Sequence, residues 1–357
     1  MLGGASCPAT TAVVGSVLLT NIVMESITYD ASNSSVWLVK DTPIPCLQKD
    51  NQVLIKVAAA GVNRLDLLQA GGRYPPPPGE SDILGVEVAG EIVQMGVAAS
   101  KEGNLKKGDR VFALIGGGGY ASYCLAPYQS VIKMPPNMEY IQAASVAEAF
   151  LTAYSALFWS GRLKDGESLL VHAGASSVGL AAIQLAKNLV RDVKVFATAS
   201  KEEKLSMCSQ VGADVTINYK TQNFSEEVLK TTGGKGVDVI LDFVGAPYWT
   251  SHMQCMATDG RLVLLGLLGG SVIQEPMDLS VLLRKRVSLI PSTLRSRALE
   301  YKHQLTQEIA DKVVPLLSNG QVKLIVDSVF PLAEAEKAHQ HMKTNQNIGK
   351  IVLSVGQ

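Results

Sequence analysis

The first half of the chain has the hydrophobic pattern of a barrel. From Val36 onward, apolar residues form short β-type runs separated by Gly and Pro, which predicts a compact, mostly antiparallel barrel. The runs are Val36–Val39, Val53–Val57, Gly85–Gln94 and Arg110–Leu114. The segment Arg73–Gly79 contains four consecutive prolines and is predicted to be an extended loop without backbone donors.

The pattern changes near Ile141, where a helix is predicted over Gln142–Trp159. Strands and helices then alternate, which indicates parallel βαβ crossovers and a doubly wound sheet. The predicted strands are Ser168–His172, Val193–Thr198, Val215–Asn218, Val237–Phe243 and Arg261–Leu265, and the predicted helices are Val178–Asn188, Lys201–Val211 and Ser225–Thr231.

The C-terminal part returns to a mixed pattern. It predicts helices over about Arg297–Leu317 and Glu334–Lys343, and strands at Val329 and Lys350–Leu353. The fold class is therefore α/β, with a doubly wound unit inserted into a barrel domain. We expect the barrel to comprise residues 25–146 and 292–357 and the inserted unit to comprise residues 147–291.

Residues 1–24 are interpreted as a disordered N-terminal extension. Their apolar stretch, Ala12–Met24, is shorter than a membrane span requires. No Lys or Arg precedes it, so it also lacks the basic region of a targeting signal.

The balanced charge and the dispersed cysteines exclude several classes of function. Lys plus Arg and Asp plus Glu both total 32, so nothing indicates a nucleic-acid partner, and no membrane partner is expected. The five cysteines are dispersed without a Cys-x-x-Cys pair, which favours reduced thiols in a cytoplasmic protein over disulfides or a zinc knuckle.

A small-residue turn between a predicted strand and a predicted helix is the first candidate site. It contains Gly174, Ser176, Ser177, Val178 and Gly179. Small residues let the backbone approach a pyrophosphate, and the helix N-terminus supplies free N–H donors. Only the first and last glycines of G-x-G-x-x-G are present, so the dinucleotide prediction depends on the surrounding βαβ unit.

The end of the second predicted strand favours NADPH over NADH. An NAD site places an acidic residue about 20 residues past the glycines, and none occurs at Phe196–Lys201. Instead, Ser200 and Lys204 can contact a phosphate, together with Lys201, and Tyr219 can close the same pocket. The alternative is a solvated Lys/Glu helix face.

From about residue 25 the chain resembles the zinc-free quinone oxidoreductases, the zeta-crystallin-like branch of the medium-chain dehydrogenase/reductase superfamily. The resemblance implies a GroES-like catalytic barrel and a Rossmann NADPH-binding domain. It is carried by Leu54–Leu68, Tyr74–Gly79, Glu148–Ala153, His172–Gly179, Ser292–Arg297 and Asn347–Leu353.

The same resemblance predicts that no metal is bound. Where zinc-dependent relatives have a cysteine and a histidine ligand, this chain has Asn63 and Val86, and their third ligand falls at Glu148. Two of three ligands are thus non-ligating residues, whereas catalytic zinc typically has three protein ligands. Glu87 is interpreted as a buried structural carboxylate.

The resemblance also implies roles for further residues. Asn63 is expected to contact the nicotinamide, with a turn-stabilising role as the alternative. Tyr74 is expected to stack on the substrate or donate a proton, with simple packing as the alternative. Arg295 and Arg297 have solvent exposure as their simplest interpretation. The remaining predicted cofactor contacts are Thr152, Ser292, Thr293, Leu294 and Asn347, with a helix N-cap as the alternative at 292–294 and a turn as the alternative at Asn347. Gly266, Leu267 and Leu268 are also predicted cofactor contacts, because they follow a predicted strand and lie at the carboxyl edge of the sheet, where open α/β folds bind ligands.

The leading hypothesis is therefore NADPH-dependent reduction of a small-molecule quinone, by hydride or by single electrons. Reduction of enals or enones, and a catalytically silent NADPH-binding structural or regulatory protein, are the alternatives. A homodimer or a dimer of dimers is expected, because Leu262–Leu268 has the pattern of an apolar edge strand.

Overall fold

The computed structural model describes residues 23–102, 104–274 and 276–356. The predicted extension lies mostly outside these residues, but strand β1 already begins at Val23, two residues before the predicted start of the barrel.

The barrel unit is built from alternating apolar segments that bury one face. Its β3 residues Val53, Ile55 and Val57 are buried, whereas Lys56 is exposed, as expected for a strand with one face on the core. The elements are β1 (Val23–Asp30), β2 (Ser35–Pro43), β3 (Gln52–Val62), α1 (Arg64–Ala70), β4 (Glu87–Met95), α2 (Val97–Glu102), β5 (Arg110–Leu114), β6 (Tyr123–Pro127), β7 (Val131–Lys133) and α3 (Tyr140–Ala143).

The inserted unit is a parallel six-stranded sheet, as the alternating pattern predicts. Its strand order is β10-β9-β8-β11-β12-β13, the arrangement of a doubly wound dinucleotide fold. Its elements are β8 (Ser168–Val171), α5 (Ser177–Leu189), β9 (Lys194–Ala199), α6 (Glu202–Gln210), β10 (Val215–Asn218), α7 (Phe224–Thr231), β11 (Val237–Asp242), α8 (Trp249–Cys255), β12 (Met256–Leu264), α9 (Ser280–Lys285) and β13 (Ser288–Pro291). The α/β fold class is confirmed, and the exact domain boundaries stay a prediction.

The helix predicted over Gln142–Trp159 is interrupted. Helix α4 spans Ala147–Tyr154 and continues as a π-helical turn over Ser155–Ser160, while α3 is a separate short helix. The stretch Tyr140–Ser160 is apolar and long enough to cross a membrane by composition, but 72% of its most apolar window is buried inside the molecule. It is a core element between the two units.

The C-terminal segment returns to the barrel. Strand β15 pairs antiparallel with β3 and parallel with β14, so Val352 lies opposite Gly61. The helix predicted over Arg297–Leu317 is also divided, because Pro315 starts a second helix. The elements are α10 (Leu299–Lys312), α11 (Val314–Ser318), β14 (Val326–Pro331), α12 (Ala335–Lys343) and β15 (Lys350–Ser354).

One apolar cluster joins the two units. It includes Phe112 of the barrel, Leu151 of α4 and Leu169 of the sheet, all buried. The barrel and the parallel sheet therefore share one apolar core along their junction, with α4 between them.

One expectation about the sheet edge is wrong. Leu262 and Val263 of β12 are buried, and β12 pairs with β11 on one side and with β13 on the other. The apolar pattern of Leu262–Leu268 predicts an edge strand, but strands that are buried on both faces of a parallel sheet are equally apolar. The edge strands of this sheet are β10 and β13.

Candidate active site

The predicted glycine turn joins β8 to α5 at the carboxyl edge of the sheet. Ser176 is the N-cap of α5, and its hydroxyl accepts a hydrogen bond from the Gly179 N–H at 3.1 Å. A Cβ at Gly179 would lie 2.5 Å from the Ala173 carbonyl oxygen, so only glycine fits. A Cβ at Gly174 would lie 3.0 Å from the Ala197 side chain. The glycines therefore keep strand and helix close together.

The predicted residues Ser177 and Val178 form the first turn of α5. Their backbone N–H groups have no intrahelical partner, and the helix dipole adds positive potential. This end of α5 is suited to a pyrophosphate.

Two lysines lie together beyond the end of β9. The Lys204 ammonium donates to the Asn345 carbonyl oxygen at 2.8 Å, and that of Lys201 donates to the Gln346 side chain at 2.9 Å. Burial lowers the pKa of Lys204, and the charge of Lys201 lowers it further. Two adjacent cations that repel each other form a favourable site for an anionic group.

The other predicted cofactor residues are distributed along the same sheet edge. Ser200 follows β9 and Tyr219 follows β10, with its side chain 43% exposed. Ser292 donates its backbone N–H to the Leu264 carbonyl, which holds the segment after β13 beside the segment after β12. The segment after β13 contains Thr293 and the buried Leu294. The segment after β12 contains Gly266 and the exposed Leu267 and Leu268.

Asn63, on the barrel side, is linked to a buried ion pair. Its amide nitrogen donates to Glu87 at 2.8 Å, and its amide oxygen accepts from the Lys350 ammonium at 2.7 Å. Lys350 also forms an ion pair with Glu87, and both side chains are fully buried. The expectation of a buried carboxylate at Glu87 is confirmed.

Asp66, a buried residue of helix α1, is hydrogen-bonded to Asn63. Its carboxylate accepts from the Asn63 N–H at 2.8 Å, the Gly85 N–H at 3.1 Å and the Tyr120 hydroxyl at 3.1 Å. Burial raises the pKa of Asp66 to about 6, although these hydrogen bonds act in the opposite direction.

Glu148 and Thr152 are one turn apart on helix α4 and face the junction. The Glu148 N–H donates to Glu87 at 2.9 Å. Glu148 Oε2 and Thr152 Oγ1 are buried and have no hydrogen-bond partner. Burial, together with the charge of Glu87, raises the pKa of Glu148 to about 7.

Tyr74 lies beside Arg295. The prediction that Arg295 faces solvent is wrong. Arg295 is 5% exposed and donates to the Gly116 carbonyl and the Gln69 side chain, both at 2.8 Å. Its guanidinium carbon is 5.8 Å from the centroid of the Tyr74 ring. Its third nitrogen, Nη1, is buried without a partner.

The C-terminal segment connects the two halves of the site. The Gly349 N–H donates to the Ala175 carbonyl at 2.8 Å, and the predicted Asn347 donates its side-chain amide to the Gly349 carbonyl. Ser177, Gly349 and Lys350 line one small cavity. The glycine turn and the Asn63–Glu87–Lys350 group are therefore adjacent.

His172 is a fully buried core residue, as predicted. Its ring nitrogens lie 2.9 Å from the Thr198 hydroxyl and 2.9 Å from a ring nitrogen of His252. Burial lowers the pKa of both histidines, that of His252 to about 3. The pair is neutral and supports the sheet beneath the glycine turn.

Sequence reasoning missed Lys350, Asp66 and Arg295 as site residues. A lysine that begins an apolar strand, as in the run Lys350–Leu353, is a detectable signal, since buried lysines are rare unless paired. Arg295 carries no such signal, because its partners lie more than a hundred residues away in the chain.

Within the described ranges, no group of three or more His, Cys, Asp and Glu side chains is arranged to hold a metal ion. The absence of zinc stays a prediction.

A barrel joined to a doubly wound sheet, with a glycine turn at the junction, is the architecture of a two-domain dinucleotide-dependent dehydrogenase or reductase. Comparison with known proteins agrees with this class. Residues 49–136 match the alcohol dehydrogenase GroES-like domain, and residues 177–312 match the zinc-binding dehydrogenase family.

Curated relatives narrow the class further. The chain is 34% identical to human quinone oxidoreductase over 313 residues, which is 87% of this chain and 90% of that protein. It is 33% identical to a quinone oxidoreductase-like protein 2 homolog of Nematostella vectensis over 309 residues, covering 86% and 82% of the two chains.

Solved structures have the same fold. A mycobacterial protein complexed with NADPH is 30% identical, with a TM-score of 0.81, and the match covers 93% of this chain and 99% of that one. Escherichia coli quinone oxidoreductase complexed with NADPH is 27% identical, with a TM-score of 0.79 and the same coverage. The chain belongs to the quinone oxidoreductase-like group of the medium-chain dehydrogenase/reductase superfamily.

Proposed function

We propose that this protein is an NADPH-dependent, zinc-independent quinone reductase of the zeta-crystallin-like branch. The observation that carries the proposal is the buried Lys350 ammonium, bonded to Asn63 and paired with Glu87. The resemblance places a zinc ligand of the metal-dependent relatives at Asn63, and a fixed ammonium there disfavours a second cation.

The residues at the sheet edge fit NADPH. The glycine turn and the first turn of α5 suit the pyrophosphate. Lys201 and Lys204, which form no ion pair with a described carboxylate, suit the additional phosphate that distinguishes NADPH from NADH. The unpaired Thr152 hydroxyl and the side chain of Asn63 suit the nicotinamide end.

NADPH supplies a hydride when bound, and the protein contributes binding, orientation and electrostatics. Tyr74 presents an aromatic face for a quinone ring. Arg295 holds an unpaired N–H beside it, which can donate to a quinone oxygen as negative charge develops there. No Lewis acid is required, because the quinone ring delocalises the added charge.

Reduction of an enal or enone is a second candidate, favoured by Glu148. These substrates require a proton after hydride addition, and Glu148 is a carboxyl group with a pKa of about 7 near Tyr74. The quinone reductase proposal also includes a small-molecule substrate, a cytoplasmic location and self-association through the edge strand β13.

The test is to follow NADPH oxidation by the purified protein with an ortho-quinone and, separately, with a simple enal. NADH and a metal chelator are run in parallel. We expect rapid, chelator-resistant oxidation of NADPH with the quinone and weaker use of NADH. Lys204→Ala should weaken NADPH binding roughly 10-fold and leave NADH binding unchanged.

Each other result has a definite meaning. Loss of activity with the chelator would contradict the zinc-independent chemistry. Turnover of the enal alone would assign the second candidate. NADPH binding without turnover of either substrate would indicate a binding or regulatory protein.

A further inference from the structure

Five ionisable side chains form one buried group at the domain junction, here called the carboxyl cluster: Asp66, Glu87, Glu148, Arg295 and Lys350. Three of these groups are carboxyls and two are cations. The cluster has a net charge of −1 if every carboxyl is ionised and is neutral if one of them holds a proton. Burial favours the neutral form.

Two of the three carboxyls accept several hydrogen bonds. Glu87 accepts hydrogen bonds from the Asn63 side chain and the Glu148 N–H and pairs with the Lys350 ammonium. Asp66 accepts from two backbone N–H groups and the Tyr120 hydroxyl. Hydrogen bonds to a carboxylate favour its ionised form.

The Glu148 carboxyl differs from the other two. Within the described structure, no hydrogen bond reaches its oxygens, and Oε2 is buried without a partner. The proton of the carboxyl cluster therefore resides on Glu148. The pKa of about 7, raised first by burial and then by the charge of Glu87, agrees with this placement.

The position of Glu148 makes its proton available to a ligand. The residue is partly exposed at the junction, one helical turn from Thr152. The charged and titratable groups that act on it come from five other parts of the chain. They are Asp66 on α1, Tyr74 in the proline-rich loop, Glu87 on β4, Arg295 and Lys302 near the start of α10, and Lys350 on β15.

We propose that Glu148 is the catalytic general acid of this enzyme, and that its carboxyl group donates the proton to the reduced substrate. The inference rests on the proposed reductase function and names the proton source of that same site.

Addition of a hydride from NADPH gives the quinone two electrons and one hydrogen, leaving a hydroquinone anion with charge on one oxygen. The O–H bond of Glu148 breaks, and an O–H bond forms on that oxygen. Glu148 becomes a carboxylate stabilised by Lys350 and Arg295, and water returns its proton in the next cycle.

Tyr74 is the competing donor, and its chemistry is less suitable. Burial raises the pKa of Tyr74 above its ordinary value, although the charge of Arg295 acts in the opposite direction. A general acid is most effective when its pKa is near the working pH, which Glu148 satisfies and Tyr74 does not.

The experiment compares wild type, Glu148→Gln and Glu148→Asp with an ortho-quinone at saturating NADPH, from about pH 5 to about pH 9. We expect the wild-type kcat to fall as pH rises through about 7. Glu148→Gln should lose roughly 100-fold or more in kcat at pH 6 and show no pH dependence near 7. Glu148→Asp should restore part of the rate together with the pH dependence.

Two measurements do not depend on turnover. NADPH affinity, from fluorescence titration, should be the same in Glu148→Gln and wild type. Infrared titration of the apoprotein should show one carboxyl that ionises near pH 7 and is missing from Glu148→Gln. Glu91→Gln, an exposed position on the same strand as Glu87, is the matched control and should behave like wild type in every assay.

The results separate the two proposals. Wild-type quinone turnover with an unchanged rate and pH profile in Glu148→Gln overturns the role of Glu148 and leaves the reductase function intact. NADPH binding without turnover of the quinone in wild type at any pH overturns the reductase function. If Glu148→Gln does not fold, the infrared titration of wild type decides, and the absence of a carboxyl ionising near pH 7 overturns the inference.

Discussion

Lys350 connects Asn63 and Glu87 on the barrel side of the site. Its ammonium is fully buried and contacts the Glu87 carboxylate and the Asn63 amide oxygen. A buried pair of this kind adds little net stability, but removing one partner leaves an uncompensated charge.

Lys350→Met should therefore lower the free energy of unfolding by about 3–5 kcal/mol, because Glu87 is left buried and unpaired. Urea denaturation measures the change. The double variant Lys350→Met with Glu87→Gln should recover part of the loss. Equal loss in both variants would show that packing of the lysine stem, and not its charge, is what matters.

Glu148 should reduce stability at alkaline pH. The pKa of its carboxyl is raised in the folded protein to about 7 from an ordinary 4.5. The folded state thus holds a proton that the unfolded chain releases, and stability falls as pH rises from about 4.5 to about 7. Glu148→Gln should be more stable than wild type at pH 8 by up to about 3 kcal/mol, with no difference near pH 4. Thermal unfolding at the two pH values tests this.

Some site residues were predictable from the sequence and others were not. The glycine turn was predictable because it lies within a few consecutive residues, and the buried Glu87 carboxylate because the family resemblance places it beside a lost zinc ligand. Arg295 was placed in solvent because its partners Gln69 and Gly116 lie in distant loops. The partner of a charged side chain is a tertiary property, and no local pattern specifies it.

At the scale of elements, the βαβ units were predicted most accurately. Strand β10 has the predicted bounds, and helix α5 begins one residue before its predicted start. Their apolar periods are long and regular, and their ends are marked by capping residues. The predictions over Gln142–Trp159 and Arg297–Leu317 joined separate helices, because a continuous apolar pattern does not reveal a break that tertiary packing imposes.

The N-cap of α5 should contribute to both stability and cofactor binding. Ser176→Ala removes the hydrogen bond to the Gly179 N–H and should lower the free energy of unfolding by about 1 kcal/mol. NADPH affinity should also fall, since the pyrophosphate is proposed to bind at this helix end.

The matched control is Asn223→Ala at the N-cap of α7, where the asparagine accepts from the Ser225 N–H. It should lower stability by a similar amount and leave NADPH affinity unchanged. Equal effects of both variants on NADPH affinity would show that binding follows general stability and would count against the proposed pyrophosphate site.

At the scale of the whole molecule, β13 leaves one edge of the six-stranded sheet open. Leu289 on this strand is 47% exposed, and Leu267, Leu268 and Leu283 nearby are also exposed. An exposed apolar edge strand is a template for pairing with another chain. The position of the edge was predicted wrongly because strand order within a sheet is not encoded in any single strand.

Leu289→Lys should convert an assembled protein to monomers, because a lysine opposes edge-to-edge pairing. Sedimentation velocity measures the change. Val329→Lys is the matched control, because Val329 is 48% exposed on β14, the edge strand of the barrel sheet. A wild-type protein that sediments as a monomer would refute self-association.

The pairing of β15 with β3 also has a consequence for the order of folding. The two strands are separated by the entire parallel sheet, which is continuous in the chain. Contacts between distant segments form late, because a long loop must be closed first. We therefore expect the nucleotide-binding half to become structured before the barrel closes. The carboxyl cluster, which needs Lys350 from β15, should be among the last features of the molecule to assemble, so a newly made chain would recognise its cofactor before it could use it.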